Sequence, residues 1–248
     1  MLAAVQAYLR AAAGSGRTVE MAGPFAVLLH PGTAMPHASY AIPHAGAEPT
    51  AADVALLLAA FRRAHRTPRL EYLPALAPAV EEAVTDHGFA VEGRLDLMAC
   101  RPADARPVPA GEGVTLHDVD PAADPAAAED LVRVQHEAFG ERPTPSEVGA
   151  SVARMSTPAV LARVDGQPAG GGACLEIRGG TTEVVGIGTL PAFRGRGVAA
   201  AVTARLVQRA FAAGAEIAVL TPGDEATGRI YARCGFSVRG EMLHLRAA

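Results

Sequence analysis

The sequence predicts an α/β chain made of two related halves, and three observations carry that prediction. Segments with strand and helix periodicity alternate along the chain. Residues 100–113, CRPADARPVPAGEG, hold three prolines and two glycines, and read as a linker between domains. The halves also repeat each other: Gly88-Phe89-Ala90-Val91-Glu92-Gly93 closes the first and Gly235-Phe236-Ser237-Val238-Arg239-Gly240 closes the second, 147 residues apart. At the same spacing and without a gap, Leu70–Leu73 falls on Ile217–Leu220, the helical stretch Ala51–Arg63 on Val198–Ala210, and Ser39–Ile42 on Gly186–Thr189. A gapless strand–helix–strand–helix–strand correspondence argues for an internal duplication.

Composition narrows the function classes. Half of the 248 residues are hydrophobic, enough for one large or two modest cores. The net charge of −4, with no block of one sign, argues against a nucleic-acid partner. No apolar run has membrane-spanning length, which argues against a membrane partner. The opening MLAAVQAYLRAAA places Leu2, Val5 and Leu9 on one face, as in an amphipathic helix. Three distant cysteines, Cys100, Cys174 and Cys234, do not make a disulfide framework, and a cytoplasmic location is expected. Lysine is absent, which excludes Schiff-base chemistry. His37 and His44 lack the spacing of a metal pair, and no metal is expected.

In the first half, a helix precedes strand Phe25–Leu29, followed by the strand, helix, strand, helix and strand of the repeat. In the second half, strand Val114–Asp118 leads to helix Pro125–Phe139, with Leu131, Val134 and Ala138 on one face. After a Pro-rich break come helix Pro145–Met155, strand Ala159–Asp165, a turn at Asp165-Gly166-Gln167 and strand Ala169–Arg178. Strand Thr182–Thr189, helix Gly197–Ala213, strand Ile217–Thr221, helix Asp224–Cys234 and strand Ser237–Arg246 complete the chain.

The chemistry concentrates in Thr181–Val207. A β-prone run enters Leu190–Phe193, then Arg194-Gly195-Arg196-Gly197-Val198-Ala199, then an apolar helix. Strand, Arg/Gly turn and helix form the plan of an anion site. The first-turn N–H groups lack intrahelical partners, and the helix dipole is positive there. Gly195 and Gly197 let an anion approach the main chain, while Arg194 and Arg196 match phosphate geometry. Gly186 and Gly188 inside a strand mark a bulge or a close backbone approach.

This Arg-x-x-Gly-x-Ala pattern after a strand, with Tyr231-Ala232-Arg233-Cys234-Gly235-Phe236 downstream, resembles the acyl-CoA-binding core of the GNAT superfamily of N-acyltransferases, over roughly residues 114–248. The resemblance implies a mixed-sheet α/β fold and two such domains in tandem, 1–103 and 114–248. It implies acetyl-CoA as co-substrate, with a phosphate loop at Arg194–Ala199 and a splayed strand at Ile187, Gly188 and Thr189 that bonds the pantetheine like an added strand. Tyr231 matches the tyrosine that protonates the departing thiolate. Glu183 stands where the family often has an acidic residue that deprotonates the incoming amine, through water; a solvated carboxylate is the other reading. Asp224 replaces a frequent Asn among the cofactor contacts and also suits a helix N-cap. His136 is a secondary candidate base or a solvated histidine, and Cys234 reads as a buried apolar cysteine.

The first copy has lost these features. Arg194, Gly197 and Ala199 correspond to Ala47, Thr50 and Ala52, Glu48 sits in the turn, and Tyr231 corresponds to Val84. A degenerate first domain with a structural or substrate-shaping role is expected. The function implied is transfer of an acetyl group from acetyl-CoA to a primary amine in a ternary complex. The alternatives are a non-catalytic acyl-CoA sensor or scaffold, and a transferase using a longer acyl-CoA or an O-acceptor.

Overall fold

A computed structural model of the chain describes residues 1–14, 17–31, 38–155 and 158–247; His37 lies outside them. The fold is mixed α/β and forms two compact units, Met1–Leu97 with Val238–Ala248, and Met98–Ser237. These units depart from a simple division at 103 and 114. The last strand of the sequence belongs to the first unit, and residues 98–113 belong to the second.

The first unit contains α1 (Leu2–Ala13), β1 (Thr18–Ala22), β2 (Phe25–Leu29), β3 (Tyr40–Pro43), α2 (Ala51–Arg63), β4 (Arg69–Tyr72), α3 (Ala79–Thr85) and most of β5 (Phe89–Cys100). It is completed by β11 (Ser237–Ala247), and its strands run in the order β1-β2-β3-β4-β11-β5. Strand β1 is an addition to the sequence expectation. It pairs antiparallel with β2 across a tight turn at Gly23-Pro24. Its Val19 and Met21 face solvent while Ala22 is buried, so its hydrophobic alternation marks the outward face and hides the strand from pattern reading. Helix α2 buries Val54, Leu57 and Phe61, spaced for one face, against Phe25, Val27, Leu70 and Tyr72. Leu243 and Leu245 of β11 share this core, and Leu243–Arg246 pair with Tyr72–Arg69. Burying each such Leu or Phe contributes about 1.5–3 kcal/mol, which holds β11 in the first unit.

The second unit contains β6 (Val114–Val119), α4 (Pro125–Ala138), α5 (Pro145–Val152), β7 (Ala159–Val164), β8 (Gln167–Cys174), β9 (Thr181–Thr189), α6 (Val198–Ala212), β10 (Ile217–Leu220) and α7 (Glu225–Arg233). Strands β6 to β9 form an antiparallel meander, and α6 carries the chain over to β10, parallel to β9. The last residues of β5, Met98–Cys100, pair with Leu220–Ala218. The expected linker is no free tether. The N–H of Arg106 donates to the Cys234 carbonyl at 3.1 Å, and Gly235 (φ +102°) sits so close to Asp104 that no side chain fits. Gly170, Gly171 and Gly172 of β8 meet Val198, Leu131 and Leu206 in turn, so α6 and α4 pack on opposite faces of the strand at backbone contact.

The order of elements repeats along the chain, with α2, β4, α3 and β5 in the first half and α6, β10, α7 and β11 in the second. The helix starts differ. In α2, Thr50 and Asp53 form a reciprocal capping box, whereas α6 begins at Gly197 with no side-chain cap. The parallel strand pairs differ as well. Strand β9 pairs with β10 only over Thr181–Glu183 against Ile217–Val219, leaving its last residues unpaired on that side. Strand β3 pairs with β4 at Ala41–Leu70, and beyond that point α1 fills the opening. The buried Gln6 amide donates to the Pro43 carbonyl at 3.1 Å and accepts from the Leu73 N–H at 3.3 Å. Arg10 donates to the Ile42 carbonyl at 2.7 Å.

Because Gln6 satisfies two backbone groups in a dry setting, Gln6→Leu should lower the unfolding free energy by about 2–4 kcal/mol. The exposed Arg63→Ala should change it by less than about 0.5 kcal/mol. Denaturant titration of both variants checks this; equal effects would refute the bridging role.

Candidate active site

The site is built on the second half of β9. Gly186 adopts φ +62°, and the β8–β9 register shifts between Gly171–Gly188 and Ala173–Val185. This is the bulge that the glycines in the strand suggested. Gln135 of α4 donates to the Gly186 carbonyl at 2.9 Å and packs where a side chain at 186 would stand. Gly188 lies under Ala138 and Phe139 at the end of α4, and a Cβ there would come 2.8 Å from that of Ala138. The bulge turns Ile187, Gly188 and Thr189 away from β10, and their backbone borders a cleft.

The chain then makes a short turn at Pro191–Phe193 and enters the Arg/Gly loop. Gly195 (φ +79°) and Gly197 (φ +78°) are both left-handed, a conformation costing an ordinary residue about 1–2 kcal/mol. That geometry turns successive N–H groups to one side, at the uncapped start of α6. Arg194 stays at the cleft, its Nε donating to the Thr189 carbonyl at 3.3 Å. Arg196 departs from the expected phosphate role. Its guanidinium turns to Asp165 Oδ2 at 3.3 Å and the Glu112 carbonyl at 3.2 Å, and it does not line the cleft.

The opposite wall comes from α7. Asp224 caps this helix by accepting from the Thr227 N–H at 2.7 Å, and hydrogen bonding from the Thr227 side chain, then from its N–H, holds the carboxyl below the usual range. The N-cap reading therefore holds, with the carboxylate on the cleft wall. Tyr231, 6% exposed, packs its ring on Phe236 with centroids 6.2 Å apart. Burial pushes its phenol up to about 12, so it stays protonated at neutral pH. Cys234 is buried against the Ala200 and Ile230 carbonyls, and burial raises its thiol to about 11, which makes it inert.

One cavity of about 580 Å³ gathers Ile187, Gly188, Thr189, Arg194, Gly195, Gly197, Val198, Ala199, Asp224 and Tyr231. Besides Arg196, Glu183 and His136 lie off its wall. Glu183 pairs opposite Val219, about 13 Å along the strand from Ile187. His136 contacts Glu141 through Nδ1 at 2.6 Å. The cavity also includes Phe139, Phe193, Thr227 and Arg233. Arg233 was visible inside the Tyr231–Phe236 motif; the aromatic walls carried no sequence signal. A second cavity, of about 480 Å³, lies between residues 102–108 and α6, but its Arg205 is committed to Asp118 and no helix start faces it. Among the described residues, no three His, Cys, Asp or Glu side chains group as a metal site.

Gly186→Ala, with a left-handed φ and Gln135 in the way, should destabilise the chain by about 1–2 kcal/mol. Gly149→Ala, mid-helix in α5 with open space around it, should stabilise it by about 0.5–1 kcal/mol. Thermal unfolding distinguishes these opposite signs.

The profile of the Acetyltransferase (GNAT) family matches residues 126–236. A GCN5-related N-acetyltransferase from Kribbella flavida is 30% identical, with 100% of this chain and 95% of that one covered and a TM-score of 0.83. A GCN5-related N-acetyltransferase from Sphaerobacter thermophilus shares the fold at 18% identity, with 90% and 75% covered and a TM-score of 0.66. So does a tandem GNAT protein from the clavulanic acid biosynthesis pathway, at 15% identity, with 90% and 78% covered and a TM-score of 0.62. No curated protein matches the chain. Relatedness over nearly the whole length of both chains, together with the profile match across the cleft, shows that this protein belongs to the GNAT acetyltransferase family.

Proposed function

We propose that this protein transfers an acetyl group from acetyl-CoA to a primary amine, using the cleft of the second unit. The observation that carries this reading is the meeting of three features on one cavity: the uncapped α6 start with its left-handed glycines, the unpaired edge of β9, and a protonated tyrosine. The first suits a pyrophosphate, the second the amides of a pantetheine arm, and the third a departing thiolate. Micromolar binding requires about 8 kcal/mol, and charge-assisted hydrogen bonds contribute roughly 1.5–3 kcal/mol each. The loop therefore needs the strand edge to reach useful affinity.

In this reading the amine nitrogen attacks the thioester carbonyl, whose oxygen is polarised by a β9 N–H near Ile187. The C–N bond forms, the C–S bond breaks, and the sulfur takes its proton from Tyr231. The amine gives up its proton to water. Glu183 does not line the cavity, and its part in this step is to receive that proton through ordered water. The three buried cysteines form no disulfide among the described residues, which accords with a reducing, cytoplasmic setting.

The first unit is silent toward acyl-CoA. Its helix start is closed by Thr50 and Asp53, Val84 replaces the tyrosine, and the Gln6 amide makes the hydrogen bonds that a ligand amide would make in the second unit. Its role is structural, and it completes its own sheet with β11.

Calorimetric titration with acetyl-CoA should give one site per chain. Two sites would overturn the silence of the first unit, and no binding would overturn the acyl-CoA reading. Once an amine screen supplies an acceptor, Tyr231→Phe should lower kcat by about 10²-fold while KM for acetyl-CoA changes little. Because burial raises the phenol to about 12 and so keeps it the donor, kcat/KM should climb as the amine deprotonates and show no fall near pH 10, where an ordinary phenol would ionise. A Tyr231→Phe enzyme with unchanged kcat would favour a sensor that binds acyl-CoA without turnover.

A further inference from the structure

We propose that Arg233 is the second cation of the acyl-CoA site and recognises the 3′-phosphate of coenzyme A, an inference that rests on the acyl-CoA reading above. The sequence offers Arg194 and Arg196 as a matched pair, but the structure dissolves that pair. Arg196 is held by Asp165 and the Glu112 carbonyl, outside the cavity. Its departure leaves Arg194 alone at the α6 start, where one pyrophosphate can be bound.

The other cationic side chain lining the cavity is Arg233, in the last turn of α7. It is exposed, and it makes no ion pair or hydrogen bond with any described residue. Its neighbour on the same helix, Arg229, is neutralised by Glu225 at 2.6 Å and does not line the cavity. The nearest fixed charge on that wall is the Asp224 carboxylate, at the opposite end of α7 and occupied by its own helix cap. The cavity thus presents two guanidinium groups on two different elements, neither paired with a described carboxylate: Arg194 on the glycine loop, which bonds only the Thr189 carbonyl, and Arg233 in the last turn of α7. Two separated cations suit a ligand with two separated phosphates. Coenzyme A carries its pyrophosphate and its 3′-phosphate on opposite sides of a ribose, and 3′-dephospho-CoA lacks only the second. A guanidinium is well matched to a terminal phosphate monoester, which offers three oxygens.

The test is calorimetric titration of the full chain with CoA and with 3′-dephospho-CoA at one ionic strength. The wild type should bind CoA about tenfold more tightly than the dephospho form. Arg233→Gln should bind both ligands equally, at the dephospho level. Arg194→Gln should weaken both alike, and Arg196→Gln should leave both affinities and the preference unchanged. Persistence of the preference in Arg233→Gln, its absence in the wild type, or its loss in Arg196→Gln would overturn the assignment while leaving the acyl-CoA reading intact. Failure of the wild type to bind either ligand would overturn both. Melting temperatures of the three variants, all at exposed or half-exposed side chains, separate loss of binding from loss of fold.

Discussion

The cleft depends on one backbone constraint: two parallel strands that part company must satisfy their separated N–H and C=O groups in some other way. In the second unit β9 leaves β10 after Glu183, and the bulge at Gly186 sets the angle. Gln135 holds the bulge from one side, and the glycines of β8 allow α4 and α6 to press on the strand from both faces. The result is a preformed edge with unpaired main-chain groups, next to a helix start whose N–H groups are also unpaired.

The first unit answers the same constraint with its own atoms. Gln6 spans the opening between Pro43 and Leu73, Arg10 takes the Ile42 carbonyl, and Thr50 with Asp53 closes the helix start. The Pro43 and Ile42 carbonyls, the Leu73 N–H and the α2 start are satisfied from within the chain. The two copies are thus two solutions to one problem, and the difference between a binding site and a structural module comes down to a few side chains. The loss of the basic turn removes charge, and the capping box and Gln6 remove vacancy.

Electrostatics around the cleft follow a similar division of labour. Tyr231 gains its character from burial, which favours the neutral phenol, and Asp224 from the helix cap that favours its ionised form. Arginines are sorted by their partners. Arg196, Arg205 and Arg229 are tied to carboxylates, whereas Arg194 and Arg233 face the cavity without one. A count of basic residues in the motif would misjudge which of them can meet an anion.

Much of this was legible in the sequence. Periodicity placed most helices and strands, the glycines announced the bulge and an open backbone at the loop, and the Tyr231 motif was found on the helix that lines the cleft. These features are local: a glycine's conformational freedom, a cap or an apolar stripe is encoded within a few neighbouring residues. The tertiary structure alone decided that β11 joins the first unit, that Arg196 turns to Asp165, that Gln6 fills the first copy's opening, and that Glu183 stands off the cavity wall. Each of these is a choice of partner across a long sequence separation. Long or amphipathic side chains accept many partners at similar free energy, and only the packed chain selects one.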